Sequence, residues 1–105
     1  MTDSPSTIIK EKIVPKTDLI PPKLFNVIYM NDEITSMEFV VASLIGVFDH
    51  TEAVAEELCA AIHENGNAVV AVLPYEMAEQ KGVEATILAR NNNFPLLVRM
   101  EPASS

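Results

Sequence analysis

Residues 31–33, Asn-Asp-Glu, set three side-chain acceptors in a row, two of them carboxylates. Such a cluster suits an ammonium group or another cation, because each acceptor can take one N–H of a positively charged donor. Cys59 and His63 stand four residues apart, which puts them one helical turn from each other. A thiol and an imidazole at that spacing are the ingredients of a thiol nucleophile. Both sit on one helix, however, and no oxyanion loop accompanies them, so a small thiol enzyme using Cys59 and His63 stands only as an alternative from another class. His50, His63 and the scattered acids match no metal-ligand spacing, and the three glycines lie too far apart to cradle a phosphate. No catalytic motif, metal or cofactor is expected, and the chain reads as a binding protein, not an enzyme.

The charge pattern points the same way. The net charge is −8 over 105 residues, and between Leu24 and Gln80 there is no lysine or arginine. Four of the seven basic residues, Lys10, Lys12, Lys16 and Lys23, fall in the first 23 positions. An acidic surface repels phosphate, so no nucleic-acid partner is expected. It attracts cations, a peptide α-amino group among them, although acids also serve simply to keep a small domain soluble. No apolar run approaches the roughly 18 residues of a membrane span, the first residues lack a signal-peptide pattern, and one cysteine cannot close an internal disulfide. A reduced, cytoplasmic setting without membrane attachment follows as the expectation.

The elements that must position these groups can be read in order. Prolines at 5, 15, 21 and 22 forbid a continuous helix in the first stretch, so 1–22 is predicted to be a flexible tail. Leu24–Met30 is mostly apolar on both alternating sets and reads as a strand. Thr35 with Glu38 has the spacing of a capping box, opening a first helix over about 36–48 with Met37, Val40, Val41, Leu44 and Phe48 as its stripe. Thr51 caps a second helix that runs to Asn65 and stops at Gly66, with Val54, Leu58, Ala61 and Ile62 facing the core. A short β-branched strand over 68–73 ends at Pro74, a third helix follows over about 75–90, and a last strand covers 95–100. Gly82 inside the third helix predicts a close approach by another backbone. The order β-α-α-β-α-β gives a two-layer α+β domain with helices on one side of a small sheet.

The stretch Asn31-Asp32-Glu33-Ile34-Thr35-Ser36-Met37-Glu38-Phe39-Val40 resembles the N-D-D-x-T-x-M-E-F-V signature of the ClpS family, adaptors that hand N-degron substrates to an AAA+ unfoldase of the Clp protease. The resemblance continues through His63, Tyr75-Glu76-Met77-Ala78-Glu79-Gln80-Lys81 and Pro95-Leu96-Leu97, and spans about 22–101. It implies a three-stranded antiparallel sheet with helices on one face over a core domain, 23–101, followed by a short end, 102–105. It implies that Asn31, Glu33 and His63 hold the substrate's α-amino group, with Asp32 a nearby acid. It also implies that Tyr29, Met30, Thr35, Met37, Val40, Cys59, Ile62 and Leu96 line a hydrophobic hole for the first side chain. Glu76 and Lys81 match positions that contact the N-terminal domain of the unfoldase, ClpA or ClpC, with the adaptor a monomer.

Three departures from the signature bear on that expectation. Glu33 replaces the usual Asp, Cys59 replaces a Met, and Ile34 and Ser36 replace Tyr and Pro. Retained partner positions beside an altered hole also fit a second reading, a divergent ClpS-like modulator of the unfoldase with changed degron specificity.

Overall fold

The computed structural model describes residues 20–103. The flexible tail predicted for 1–22 therefore lies almost wholly outside the described residues. Three strands and three helices alternate as β1 (Leu24–Met30), α1 (Met37–Phe48), α2 (Glu52–Asn65), β2 (Asn67–Pro74), α3 (Tyr75–Asn91) and β3 (Leu97–Pro102). β1 is the central strand, antiparallel to β2 on one side and to β3 on the other. The predicted two-layer α+β order and the three-stranded antiparallel sheet are both present.

Alternation along the strands sorts side chains between the two faces of the sheet. Phe25, Val27 and Tyr29 pair with Leu73, Ala71 and Ala68 on β2 and with Pro102, Met100 and Val98 on β3. Except for the exposed Pro102, this set joins Val40, Leu44 and Val47 of α1, Ala55, Cys59 and Ile62 of α2, and Ala78, Ala85 and Ala89 of α3 in one core. The opposite set, including Ile28, Val69, Val72, Arg99 and Leu97, forms the face away from the helices, and Val69, Val72 and Leu97 there are exposed. Central β1 is buried at three successive positions, Val27, Ile28 and Tyr29, which explains why both of its alternating sets are apolar. The Tyr29 hydroxyl is hydrogen-bonded to the Ser43 hydroxyl at 2.8 Å, and Ser43 donates to the Val40 carbonyl, so both buried polar groups are satisfied. Burial pushes the Tyr29 phenol up to about 12, only partly opposed by its bond to Ser43.

Four local expectations change. Ser36, not Thr35, caps α1: its Oγ accepts the Phe39 N–H at 3.1 Å, whereas Thr35 turns its hydroxyl to Asp32. The buried stripe of α2 is Ala55, Cys59 and Ile62, and Val54 is exposed, because the helix lies against the core on its smaller residues. A Cβ on Gly82 would meet only a side-chain carbon of Val98, at an ordinary 3.7 Å, so no backbone approaches there. β3 starts at Leu97 rather than at Pro95.

The connections between elements are fixed by short-range chemistry. Asp49 closes α1 in the left-handed region (φ 60), where the next amide, that of His50, reaches the Leu44 carbonyl at 3.2 Å. Thr51 caps α2 through the Val54 N–H, and Gly66 (φ 90) ends it. The β1–β2 register slips at Val27/Ile28, which leaves Val70 as a bulge. His50 Nε2 donates to the bulged Val70 carbonyl at 2.7 Å and ties the α1–α2 turn to the sheet.

Candidate binding cleft between the 31–36 loop and the end of helix 2

The loop between β1 and α1 is built around one carboxylate. Asp32 Oδ1 accepts the Ile34 N–H at 2.8 Å and the Thr35 N–H at 2.6 Å, and Oδ2 accepts the Thr35 hydroxyl at 2.8 Å. Burial alone would raise its pKa. The Thr35 amide, the Thr35 hydroxyl, the Ile34 amide and the Arg90 charge outweigh that and hold it below the usual carboxylate range. Asp32 therefore spends its acceptors on shaping the loop, while its neighbours Asn31 and Glu33 keep theirs.

The loop is pinned to α2 by a single backbone bond. The Asn31 N–H donates to the Gly66 carbonyl at 2.9 Å, just beyond the last turn of the helix that carries His63. This long-range bond brings positions 31 and 63 to one place. Asn31, Glu33 and His63 line a common cleft of about 420 Å³, together with Asp32, Ile34, Thr35, Ser36 and Met37. All three are exposed, and within the described residues none of their side chains makes a hydrogen bond or ion pair. An amide, a carboxylate and an imidazole around one opening offer three acceptors to a group with three N–H donors, the number that an α-ammonium carries.

The residues expected to line the hydrophobic hole divide into three sets. Thr35 and Met37 wall the cleft itself, and Met37 is 55% exposed. Tyr29, Val40, Ile62 and Leu96 lie in the core. Cys59 joins them at 5% exposure and also lines a neighbouring groove between α1 and α2, whose wall includes Met37. Met30, half-buried at the end of β1, pairs with Asn67 and Leu97 on the face of the sheet away from the helices. Glu76 and Lys81 both sit in the first two turns of α3, outside the cleft.

The thiol is ill placed for nucleophilic chemistry. Burial raises the Cys59 pKa, and Sγ donates weakly to the Met37 carbonyl at 3.8 Å. A raised pKa disfavours the thiolate that attack requires. Among the described residues no group of three or more His, Cys, Asp and Glu could hold a metal ion, and no helix is long and apolar enough to cross a membrane.

One organising residue escaped the sequence reading. Arg90, in the last turn of α3, donates through one guanidinium nitrogen to the Phe94 and Leu96 carbonyls, each at 2.9 Å. It thereby fixes the 94–96 segment, and the tilted Phe39–Phe94 ring pair, 5.1 Å between centroids, joins that segment to α1. A late-helix arginine just before Asn-Asn-Asn was the available signal: where a helix ends without glycine, its C-terminal side needs other donors.

Known proteins share this architecture. Residues 20–99 match the family model described as ATP-dependent Clp protease adaptor protein ClpS. The ATP-dependent Clp protease adapter protein ClpS of Treponema denticola is 40% identical over 95 residues, covering 90% of this chain and 88% of its own. The protein of the same name from Acetivibrio thermocellus is 38% identical over 99 residues, 94% of this chain and 98% of its own. Among solved structures, Agrobacterium tumefaciens ClpS2 bound to L-phenylalaninamide superimposes with a TM-score of 0.76 at 38% identity, covering 79% of this chain and all of that one. With its fold, its loop and most of its length matched in this way, the chain belongs to the ClpS family of ATP-dependent Clp protease adaptors.

Proposed function

We propose that the cleft binds the free N-terminal residue of a substrate protein, bulky and hydrophobic (Leu, Phe, Tyr or Trp), and that the chain delivers that substrate to the ClpA or ClpC unfoldase working with ClpP. The observation that carries this is the convergence of Asn31, Glu33 and His63 on one opening. Three acceptors can each take one N–H of the α-ammonium, whereas an internal peptide bond offers a single uncharged N–H. The phenylalaninamide held by the related ClpS2 has the same two parts, a free amine and a bulky side chain.

Side-chain entry involves Met37. Val40, Cys59, Ile62 and Leu96 are each at most 6% exposed, so a ligand side chain reaches them only by a rearrangement, and we assign that movement to Met37, the exposed side chain on the cleft wall. A flexible thioether can do this at small cost. Burying one Leu or Phe side chain there contributes about 1.5–3 kcal/mol. Glu76 and Lys81 on α3 serve as the docking surface for the unfoldase N-terminal domain, the adaptor acts as a cytoplasmic monomer, and it performs no chemistry of its own.

The test is fluorescence anisotropy with peptides that differ only in their first residue. Peptides beginning with Phe, Tyr, Trp or Leu should bind, and those beginning with Ala, Glu or Gly should not. Binding indifferent to the first residue would refute the reading.

A further inference from the structure

The segment between α3 and β3 has no ladder to hold it. The β1–β3 pairing begins only at Leu97, and Pro95 carries no N–H. α3 ends at Asn91, Asn93 adopts the left-handed region (φ 65), and the chain turns back so that the Phe94 N–H reaches the Ala89 carbonyl at 2.9 Å. The Phe94 and Leu96 carbonyls then both go to one nitrogen of Arg90. Arg90 is the only basic residue in the sequence from 82 to 98, so no neighbour in that stretch can take its place.

Both carbonyls belong to residues that bear on the cleft. Leu96 is 1% exposed and shares the core with Val40, Cys59 and Ile62, while Phe94 meets Phe39 of α1. From the other side, Ile34 of the 31–36 loop borders the cleft and also a neighbouring opening of about 460 Å³, which Arg90, Asn93, Phe94 and Pro95 line. The Arg90 charge also acts on Asp32, the carboxylate that shapes the loop. One guanidinium thus stands between the loop that presents Asn31 and Glu33 and the segment that carries Leu96.

We propose that Arg90 is a positioning residue for selection of the first side chain: by holding the Phe94 and Leu96 carbonyls it sets where Leu96 stands against α1 and α2, and so how large a side chain is accepted there. The proposal rests on the reading of the cleft as the site for the N-terminal residue. A guanidinium is planar and permanently charged, so it holds both carbonyls in one geometry at any working pH. Apolar holes discriminate by the reach of a single methylene, so a small displacement of one wall residue changes the choice among ligands. An aromatic first residue touches more of that wall than Leu does and loses more contacts when Leu96 moves.

The experiment uses the full-length chain and two labelled peptides that differ only in beginning with Phe or Leu. Arg90→Met removes the donors and the charge while keeping an apolar stem and a good helix former. It should weaken the Phe peptide about tenfold and the Leu peptide about twofold, so the ratio of the two affinities falls about fivefold. Arg90→Lys keeps the charge without the planar fork and should give an intermediate ratio. Arg99→Met, which makes the same charge change on β3, should leave the ratio as it is. A purely stabilising role would lower Tm and the folded fraction, which both peptides report equally, and would not move the ratio. An unchanged ratio in every Arg90 variant that keeps the wild-type circular-dichroism spectrum, or an equal fall in Arg99→Met, would overturn the proposal and leave the cleft intact. Failure of the wild-type chain to bind either peptide would overturn the reading of the cleft itself.

Discussion

Replacing Asp32 with alanine tests how the cleft is built. The substitution strips three hydrogen bonds from the loop, two from backbone amides and one from the Thr35 hydroxyl. Bonds to an ionised acceptor are worth about 1.5–3 kcal/mol each when buried. Here the loop is half exposed and water replaces part of the loss, so a helix-cap-like total of about 2 kcal/mol is the expected cost. For a domain of this size that lowers Tm by roughly 8–16 °C. Asn at 32 keeps an oxygen for the two amides but loses the charge, and should cost about half as much. The sign with pH follows from the depressed carboxyl pKa. Stabilisation is fully present above the unfolded-state value, about 3.9, and disappears as pH falls through the lower folded-state value. The gap in Tm between wild type and Asp32→Ala should therefore be constant from pH 7 to about pH 5 and narrow below about pH 4. Peptide affinity at pH 7 should fall about tenfold, because Asn31 and Glu33 are no longer preset. Circular-dichroism melts of the three proteins across pH decide the matter. An Asp32→Ala variant that melts within about 1 °C of wild type at pH 7 would refute the reasoning, as would a gap that fails to narrow in acid.

Three further outcomes are expected. Cys59→Met should move preference among first residues from the aromatics toward Leu, since the longer side chain refills the space that Cys leaves, and Met37→Ala should admit Ile and Val. A first-residue peptide panel reads both, and a panel unchanged by Cys59→Met would show that substitution to be silent. Reversing both charges, Glu76→Lys with Lys81→Glu, should abolish binding to the unfoldase N-terminal domain while peptide binding persists, as measured in parallel pull-down and anisotropy assays. Deleting residues 1–17 should leave peptide affinity unchanged and slow degradation of a degron-bearing protein, followed by loss of the substrate band.

Much of the fold was legible because its boundaries are chemically sharp. β1 is bracketed by Pro21-Pro22 and Asn31, α2 by Thr51 and Gly66, and β2 by Pro74. The start of α1 was displaced by one residue because Asp32 captured the amide and hydroxyl of Thr35, a competition among neighbouring side chains that spacing rules do not weigh. The α2 stripe was drawn toward Val54 and Leu58 because apolar size was taken as the mark of burial. The helix instead seats Ala55 and Cys59, small residues whose value lies in close packing. The acceptor cluster at 31–33 was visible at once, but its link to His63 depends on the Asn31–Gly66 backbone bond, which spans 35 positions and leaves no local pattern. The roles given to Asn31, Glu33 and His63 came from the resemblance. Arg90 illustrates the converse: its place in the sequence shows only a cation near a helix end, while its geometry makes it the tie between α3 and the 94–96 segment.

The central claim is that Asn31, Glu33 and His63 clamp a free α-amino group. The most direct measurement is a pair of anisotropy titrations with one Phe-initiated peptide, its N-terminus free or acetylated, repeated on Asn31→Ala and His63→Ala. Acetylation should abolish binding to the wild-type chain. Each variant should lose at least about 1.5 kcal/mol, or roughly tenfold, toward the free peptide. Equal affinity for the free and acetylated peptides would contradict the clamp and with it the proposed function.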